Sequence, residues 1–326
     1  MKIRDTYHYI PWPYLSKSSY KTWKACKYKF KRAIIDKLDM GKNKIMAEGT
    51  TLHFMYYTFF EIVDFNKLYS LDWSLFNGTK QSAVYQYFYS LLMDWFEDYI
   101  PNKHMTSNIR AFCMLEENHY IHLRVKYKSK RSIKNYFMAN VEERELFLRN
   151  DIFRIFGTVD RIIKEETKTI ISDYKTGNVP KKLREEIREG VYTKVKMTHY
   201  VVEGNFYVLL YMLRIGYTLE EDKNGKLWFY KDGKLEKDAH KLFDYAFIFT
   251  GEFTNKEPVY YVARKTSSMV SIRTVVKNLT KIREWKDWKR EPNLMRCRWC
   301  QLYLTECKEI VPIEIFGDLR GGQDTP

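Results

Sequence analysis

The chain has 326 residues, a net charge of +15 and a sequence pI of about 9.3. This length suits one elaborated domain or a core with a helical insertion, and the lack of an apolar run long enough for a membrane span predicts a soluble, cytoplasmic protein. The positive charge predicts a polyanionic partner, because phosphate neutralisation dominates nucleic-acid affinity, and the 54 aromatic residues include rings that can stack on bases.

The first predicted element is a helix at residues 18–38, whose lysines surround Cys26. The next helical stretch contains EGTTLHFMYYTFFE at 48–61. Gly49 and His53 share one face of that helix because they are four residues apart. By itself, a single histidine on an aromatic-rich helix is most often a buried core residue, so the helix alone does not assign a function to His53.

The helical pattern continues over residues 49–118, with one turn at NGTK, residues 77–80. The basic stretch at 119–140 is irregular and predicts a strand and a loop near a nucleic acid. A first strand is then predicted at 141–148, where VEERELFL alternates between polar and apolar residues. Glu142 belongs to this strand, and its side chain faces either solvent or the interior.

The most informative block is GTVDRIIKEETKTIISDYKTG at 157–177. TVDRII and IISDYK alternate like strands on either side of a turn, which predicts a β-hairpin. The hairpin sets Asp160 beside Asp173, and Lys175 shares the face of Asp173. Paired carboxylates suit a hard divalent cation such as Mg²⁺. The alternative is a solvated face with a weak ion pair, but the apolar flanks predict interior strands, where an unpaired carboxylate is costly.

The remaining elements follow in order. A polar helix begins within NVPKKLREEIREG, and THYVVEGNFYVLLYMLRIG predicts a helix at 198–216. KLWFYKDGKLE at 226–236 predicts a hairpin that turns at Asp232–Gly233. DYAFIFTGE and PVYYVARK predict two more strands, and a helix at 267–289 leads to the last cysteines.

Three of the five cysteines form the pattern C-x2-C-x6-C near the end of the sequence. With Cys26 they would make a four-thiolate site, which suits zinc or an iron–sulfur cluster, and spacing does not decide between the two. A disulfide or reduced structural thiols are the alternatives, and the polar, aromatic start of the chain does not favour a disulfide. Cys113 is outside the pattern and is interpreted as a small buried apolar residue. The candidate ligands are Cys26, Cys297, Cys300 and Cys307.

GTVDRI followed by DYKTG resembles motifs II and III of the PD-(D/E)XK nuclease superfamily, in its RecB-type branch. EGTTLHF resembles the G-x-x-x-H helix of that branch, which implies that His53 is a metal ligand. Where the branch has Q-x-x-x-Y, this chain has Glu203 at the glutamine position, a departure that leaves open whether the glutamine's role in positioning the lysine or the DNA is kept. Tyr207 matches the tyrosine, with a position in the core as the alternative. In many relatives a glutamate from the first strand approaches the site, and Glu142 is the match.

The cysteines extend this resemblance. RecB-type nucleases with a remote N-terminal cysteine and a C-terminal triplet, such as the AddB nuclease domain and the CRISPR spacer-acquisition nucleases, carry a 4Fe-4S cluster. The resemblance therefore implies an iron–sulfur cluster on the four candidate cysteines. It also implies that this cluster holds the two ends of the nuclease domain together.

The implied fold is α/β: a PD-(D/E)XK core, with a mixed central sheet flanked by helices, a helical insertion and an iron–sulfur region formed by both termini. One elaborated nuclease domain would cover residues 1–326. Its parts would be a helical segment with the insertion at 49–118, a catalytic core at 141–216, and the cluster region at 1–47 and 290–310.

The implied activity is that of a Mg²⁺- or Mn²⁺-dependent deoxyribonuclease, an exonuclease on single-stranded or end-bearing DNA in a prokaryotic or viral host cell. The implied metal ligands are His53, Asp160, Asp173 and the backbone carbonyl of Tyr174. Lys175 would orient water and stabilise developing charge. The alternative is a DNA-binding or structural nuclease-like subunit of a helicase–nuclease or CRISPR spacer-acquisition complex. The sequence has no Walker-type motif, so strand separation would need a helicase or recombination partner.

Overall fold

The structure is a computed structural model, which describes residues 13–38, 44–73, 82–97, 99, 102–138, 144–181, 183–184, 198–254, 257–290, 297, 300, 302 and 306–307. The turn predicted at 77–80, the candidate Glu142 and most of the polar helix predicted after the hairpin lie outside these residues. Within the described helices, none combines the length and the apolar character needed to cross a bilayer.

The chain divides into two compact units. The terminal unit consists of Met1–Lys42, Arg149–Phe156 and Arg273–Pro326, and thus gathers residues from both ends of the sequence. The sheet unit consists of Asn43–Leu148 and Gly157–Ile272.

The terminal unit begins with α1 (Lys17–Ala25) and α2 (Lys27–Phe30), and a π-helical turn follows at Lys31–Ile35. Cys26 separates the two helices because its backbone is extended, with φ of −160°. Its thiol also accepts a backbone hydrogen bond of 3.4 Å from the first turn of α2. The helix predicted at 18–38 is therefore interrupted at its cysteine.

Helices that precede the sheet pack around an aromatic core. They are α3 (Lys44–Ile62), α4 (Phe65–Ser70), α5 (Ala83–Trp95), α6 (Lys103–Lys126) and α7 (Lys130–Phe137). Tyr56 of α3 stacks on Phe112 of α6 with 4.2 Å between ring centroids. Phe59 of α3 meets Phe88 of α5 edge-on at 4.9 Å. Large buried rings of this kind dominate core energetics, and the helical prediction for 49–118 is confirmed where the chain is described.

The prediction of a strand and a loop at 119–140 is wrong. The end of α6 and the whole of α7 occupy this stretch. Its apolar residues are three or four positions apart, the helical spacing: Tyr120 and Leu123 in α6, and Ile133 and Phe137 in α7, are all buried. The intervening basic residues obscured this pattern in the sequence.

The main sheet has the order β1-β2-β3-β7-β8. The strands are β1 (Arg144–Asn150), β2 (Ile155–Lys164), β3 (Thr169–Lys175), β4 (Thr218–Glu221), β5 (Leu227–Lys231), β6 (Lys234–Leu235), β7 (Phe243–Thr254) and β8 (Glu257–Thr266). β2 and β3 form the predicted antiparallel hairpin, with Lys164 opposite Thr169 and Arg161 opposite Ser172. Asp160 and Asp173 are the residues next to this last pair, one on each strand. β3 runs parallel to β7 and β7 antiparallel to β8, which makes the sheet mixed.

Helices cover both faces of this sheet. Phe247 of β7 contacts Tyr200 of α8 (Thr198–Arg214), with 4.9 Å between ring centroids. The next residue, Ile248, belongs to the core cluster formed with α3 and α6. Because successive strand residues point to opposite faces, α8 lies on one face and α3 with α6 on the other. The expected mixed sheet flanked by helices is confirmed.

A second, three-stranded sheet has the order β4-β5-β6. Asp232 and Gly233 connect β5 to β6 with φ values of 51° and 74°. Both values are left-handed, as a two-residue type I′ hairpin turn requires, and the predicted turn is confirmed. The strands predicted from DYAFIFTGE and PVYYVARK are β7 and β8, and α9 (Met269–Glu284) lies within the helix predicted at 267–289.

Candidate metal centre

Three elements of the sheet unit bring a histidine and two carboxylates together. His53 comes from α3, Glu145 from β1 and Asp160 from β2, and one ligand atom of each lies within 4.8 Å of the others. The Nδ1 atom of His53 is 3.3 Å from Oδ1 of Asp160 and 3.7 Å from Oε1 of Glu145. An imidazole with two carboxylates is a donor set that suits a divalent cation of the Mg²⁺ or Mn²⁺ type.

Gly49 lies where α3 comes close to the hairpin. A Cβ at position 49 would lie 3.4 Å from Oγ1 of Thr176, immediately after β3. A Cβ would thus make an ordinary van der Waals contact with the Thr176 side chain, which shows how near this turn of α3 lies to the end of β3. The ring of His53, one turn later, meets Tyr174 of β3 edge-on at 6.4 Å between centroids. Gly49 thus lies beside Thr176, and His53, one turn later, lies beside Tyr174, so α3 brings an imidazole to the end of β3.

The surroundings of His53 favour a positive charge. Burial opposes the charged imidazole, but neighbouring carboxylates outweigh burial and raise the pKa of His53 to about 10. These carboxylates belong to Asp160, Glu145 and Asp173. Without a metal, a proton on His53 satisfies them at neutral pH, and a bound cation would take the place of that proton.

Asp160 is held in one orientation. Its Oδ2 accepts a hydrogen bond of 2.5 Å from the backbone amide of Tyr174, while its Oδ1 faces His53. Asp160 is only 8% exposed. The hairpin therefore presents a fixed carboxylate oxygen to the imidazole, with little need for reorganisation on binding a cation.

Lys175 lies between two buried carboxylates. Its Nζ donates a hydrogen bond of 2.7 Å to Oε1 of Glu203 on α8 and forms an ion pair with Asp173. Nζ also lies 5.4 Å from the ring centroid of Phe247. The side chain of Glu203 is 1% exposed. Glu203 thus contacts the lysine from the position at which the resemblance places a glutamine.

Two other predicted site residues, Asp173 and Tyr207, are not part of this group of three ligands. Asp173 acts electrostatically on His53 and pairs with Lys175, but it is outside the set of atoms that lie within 4.8 Å of one another. Tyr207 is buried against β2: a Cβ on Gly157 would be 3.0 Å from Cε1 of its ring.

Glu145 is the candidate ligand that sequence reasoning missed. We selected Glu142 from the same predicted strand, and that residue lies outside the described part of the chain. Glu145 has φ of 46°, a left-handed conformation that is uncommon for a residue with a side chain. Simple alternation of the strand does not predict such a backbone, although the presence of further glutamates in VEERELFL marked the strand as a source of carboxylates.

Four cysteine thiols of the terminal unit lie close enough to interact electrostatically. Burial raises the pKa of the Cys307 thiol, Arg290 opposes this, and the three other thiols raise it further through their charges. These thiols belong to Cys300, Cys26 and Cys297. All four cysteines are free of disulfides. Four thiols are a donor set that suits a zinc ion or an iron–sulfur cluster, but among the described residues these sulfurs do not form a group of three within 4.8 Å of one another, as the metal-centre atoms do.

Hydrogen bonds beside Cys307 link the two ends of the terminal unit. Glu306 accepts 2.5 Å and 2.9 Å hydrogen bonds from the hydroxyl of Tyr28 and from Nε of Arg32. Its neighbour Cys307 is thereby fixed against the helices that follow Cys26. Cys113, by contrast, is fully buried on α6 in the aromatic core of the sheet unit.

Comparison with protein families gives one match. A model of the PD-(D/E)XK nuclease superfamily matches residues 14–304 of the chain. No curated protein and no solved structure matches it. The matched range contains the metal centre and the first three candidate cysteines, and it ends shortly before Cys307.

Proposed function

The chain belongs to the PD-(D/E)XK nuclease superfamily, which implies a metal-dependent nuclease, and we propose that it is a Mg²⁺- or Mn²⁺-dependent deoxyribonuclease of the RecB-type branch. Its substrate would be single-stranded or end-bearing DNA, cleaved as an exonuclease. The observation that carries this proposal is the convergence of His53, Glu145 and Asp160 on one point, with Lys175 on the neighbouring strand. A basic chain with this donor set is suited to a polyanionic substrate.

The proposed metal ligands are His53, Glu145, Asp160, Asp173 and the backbone carbonyl of Tyr174. A bound cation would supply Lewis-acid stabilisation of the phosphate and a lower pKa for a coordinated water. Asp160 would contribute a carboxylate oxygen already oriented by the amide of Tyr174. His53 would contribute a nitrogen once its proton has left, and Glu145 would add a second carboxylate from β1.

Lys175 would act on the substrate directly. Its ammonium would orient the attacking water and stabilise the negative charge that develops on the phosphate. Glu203 would keep the ammonium in place through the 2.7 Å hydrogen bond. In this proposal Glu203 performs the positioning role of the glutamine in the RecB-type branch. Tyr207, on the same helix, packs against β2 in the core.

A 4Fe-4S cluster on Cys26, Cys297, Cys300 and Cys307 is the second part of the proposal. The support is that thiols from both ends of the sequence interact electrostatically and that Glu306 accepts a hydrogen bond from Tyr28, which links the same two segments. The cluster would be structural. It would join the first segment of the terminal unit to the last and so reduce the conformational entropy that folding has to overcome. We also propose a helicase, recombination or CRISPR partner, because the sequence has no Walker-type motif for strand separation.

The test of this function is digestion of end-labelled linear and circular single-stranded DNA with Mg²⁺ or Mn²⁺, beside a duplex and an RNA of the same sequence. The proposal expects metal-dependent shortening of the linear strand and an intact circle. Cleavage of the circle would show endonuclease action instead. Absence of cleavage by the parent protein with every metal would refute the proposal and favour a DNA-binding subunit.

A further inference from the structure

The positive charge of the protein is divided unevenly between the two units. The terminal unit contains 24 Lys and Arg against 12 Asp and Glu, whereas the sheet unit contains 32 against 29. The terminal unit has about a third of the residues but carries most of the excess charge. Long-range attraction of a polyanion depends on this excess, so the unit with the candidate metal centre contributes little to it.

Two helices of the terminal unit present this charge in ordered rows. Basic residues on α1 are four and three positions apart, and those on α9 are four apart, so each row follows one face of its helix. The rows are Lys17, Lys21 and Lys24 on α1, and Arg273, Lys277 and Lys281 on α9. The side chains of Lys21, Lys24, Lys277 and Lys281 are exposed.

The two helices are joined where they end. Trp23 of α1 meets Trp285, just after α9, edge-on at 5.6 Å between ring centroids. Nζ of Lys27 lies 5.9 Å from the centroid of Trp23 and 5.2 Å from that of Trp285. Cation–π contact and ring burial stabilise this junction, so both basic rows belong to one rigidly connected pair of helices.

We infer that these two basic rows are the main phosphate-binding surface of the protein, and that they hold the backbone of the nucleic acid on which the proposed nuclease acts. The inference rests on the proposed function and adds the residues that supply affinity. Lysine is a point charge that binds phosphate without reading bases. The surface therefore retains DNA independently of sequence, while the sheet unit contributes the site of hydrolysis.

The test compares two double variants with a matched control, all made in the full chain with its cysteine site intact. The variants are Lys21→Gln/Lys24→Gln on α1 and Lys277→Gln/Lys281→Gln on α9. The control is Lys223→Gln/Lys237→Gln, which removes two exposed lysines from the sheet unit. Every substitution lies at an exposed site, so loss of folding does not complicate the result, and circular dichroism checks it.

Binding of a labelled oligo(dT) strand is measured in EDTA over a range of KCl concentrations. Each test variant should lower the slope of log Kd against log salt by about 1.4, which is roughly 0.7 for each lost phosphate contact on a single strand, and weaken binding about 10- to 30-fold at 0.1 M salt. The control should match the parent. An unchanged slope in both test variants, or an equal loss in the control, overturns the inference.

A second readout separates this inference from the proposed function. At saturating DNA the test variants should cleave at the parent rate, because their substitutions leave every residue of the metal centre unchanged. A parent protein that cleaves DNA, with variants that bind as the parent does, would overturn the inference alone. A parent that binds through these rows but never cleaves would overturn the proposed nuclease and leave the surface standing.

Discussion

At the scale of single residues, Lys175 has the most constrained environment in the candidate centre. It is enclosed by Asp173, Glu203 and the ring of Phe247. The negative charges of Asp173 and Glu203, both buried, would repel each other strongly without the ammonium between them. Lys175 therefore stabilises the free site as well as any phosphate that enters it.

We predict that Lys175→Ala and Asp173→Ala each reduce DNA cleavage at least 10³-fold, because stabilisation of developing charge by preorganised groups is a large part of catalysis. DNA binding should remain within a few-fold of the parent, since neither residue belongs to the basic rows. Single-turnover cleavage and filter binding measure the two effects. Lys223→Ala, another lysine of the sheet unit, is the control, and a variant that cuts at the parent rate would remove that residue from the assignment.

Substitutions at Glu203 test whether this residue acts on Lys175 through its hydrogen bond or through its negative charge. Glu203→Gln keeps an oxygen that accepts the hydrogen bond from Lys175, so cleavage should stay within a few-fold of the parent. Glu203→Ala removes the acceptor and leaves Lys175 with Asp173 alone, and we expect a loss of at least about tenfold. Measured kcat should fall while KM for DNA changes little. Equal losses in the two variants would show that the charge, rather than the hydrogen bond, matters.

The pKa of His53 gives a prediction for metal binding. Because this pKa is raised to about 10, a cation that binds the nitrogen must displace a proton below that pH. Apparent Mn²⁺ affinity should therefore increase with pH, by up to about tenfold per unit for one proton released. His53→Gln should bind Mn²⁺ more weakly and lose most of this pH dependence, whereas His122→Gln on α6 should match the parent.

The same shift predicts how stability varies with pH in metal-free protein. Protonated His53 stabilises the fold among the carboxylates, and this contribution is complete below the unfolded pKa of 6.5 and is lost as the pH rises through about 10. Denaturant unfolding in EDTA between pH 6.5 and 10 should show a decline that is smaller in His53→Gln. Parallel curves for the two proteins would contradict the raised pKa.

At the scale of elements, α6 supports the hairpin from the face opposite α8. Oε1 of Glu116, fully buried on α6, lies 2.5 Å from Nη1 of Arg161 on β2. Phe112 of the same helix meets Tyr174 of β3 edge-on, with 5.9 Å between ring centroids. Burial raises the pKa of Glu116, but Arg161, His119 and Arg144 together outweigh burial and lower it. One helix thus anchors the neighbours of both Asp160 and Asp173.

Breaking this pair should destabilise the protein strongly. Glu116→Ala leaves the buried guanidinium of Arg161 without its carboxylate, and we expect a loss of about 3–5 kcal/mol in the free energy of unfolding. Glu116→Gln should lose less because it keeps a hydrogen-bond acceptor. Urea unfolding at neutral pH measures both variants. A loss below about 1 kcal/mol in Glu116→Ala would show that the pair contributes little.

The elements also show what a sequence can and cannot reveal. The hairpin of β2 and β3 was predictable because strand alternation, apolar flanks and a polar turn all agree. The helices at 119–140 were missed because basic residues masked the spacing of Tyr120 and Leu123. Glu145 was missed because its left-handed backbone depends on tertiary packing, which no periodicity encodes. The hairpin of β2 and β3 follows from the pattern, but the approach of α3 to it is a tertiary contact that no periodicity encodes.

At the scale of the whole molecule, the candidate metal centre belongs to one unit, and the cysteine site and most of the excess positive charge belong to the other. The first is the sheet unit, and the second is the terminal unit, whose four candidate thiols interact electrostatically. Segments far apart in the sequence make up the terminal unit, so loop closure there is entropically expensive without a cross-link. A metal group on the thiols would supply that cross-link.

We predict that protein purified without oxygen is brown and contains about four irons and four labile sulfides per chain. Replacement of any one of the four candidate cysteines by alanine should remove the cluster and lower stability and DNA processing together. Cys113→Ala is the matched control and should keep the cluster. A colourless protein with one zinc per chain would contradict the iron–sulfur assignment, and a need for Cys113 in place of Cys26 would change the fourth ligand.

The central claim is that the centre formed by His53, Glu145 and Asp160 is where a metal-dependent nuclease cuts DNA. Its most direct test is single-turnover cleavage of end-labelled single-stranded DNA over a range of Mn²⁺ concentrations, for the parent and for Asp160→Asn. The parent should cut only with metal, and Asp160→Asn should bind the strand but leave it intact at every concentration. Cleavage by Asp160→Asn at the parent rate, or by the parent in EDTA, would contradict the claim.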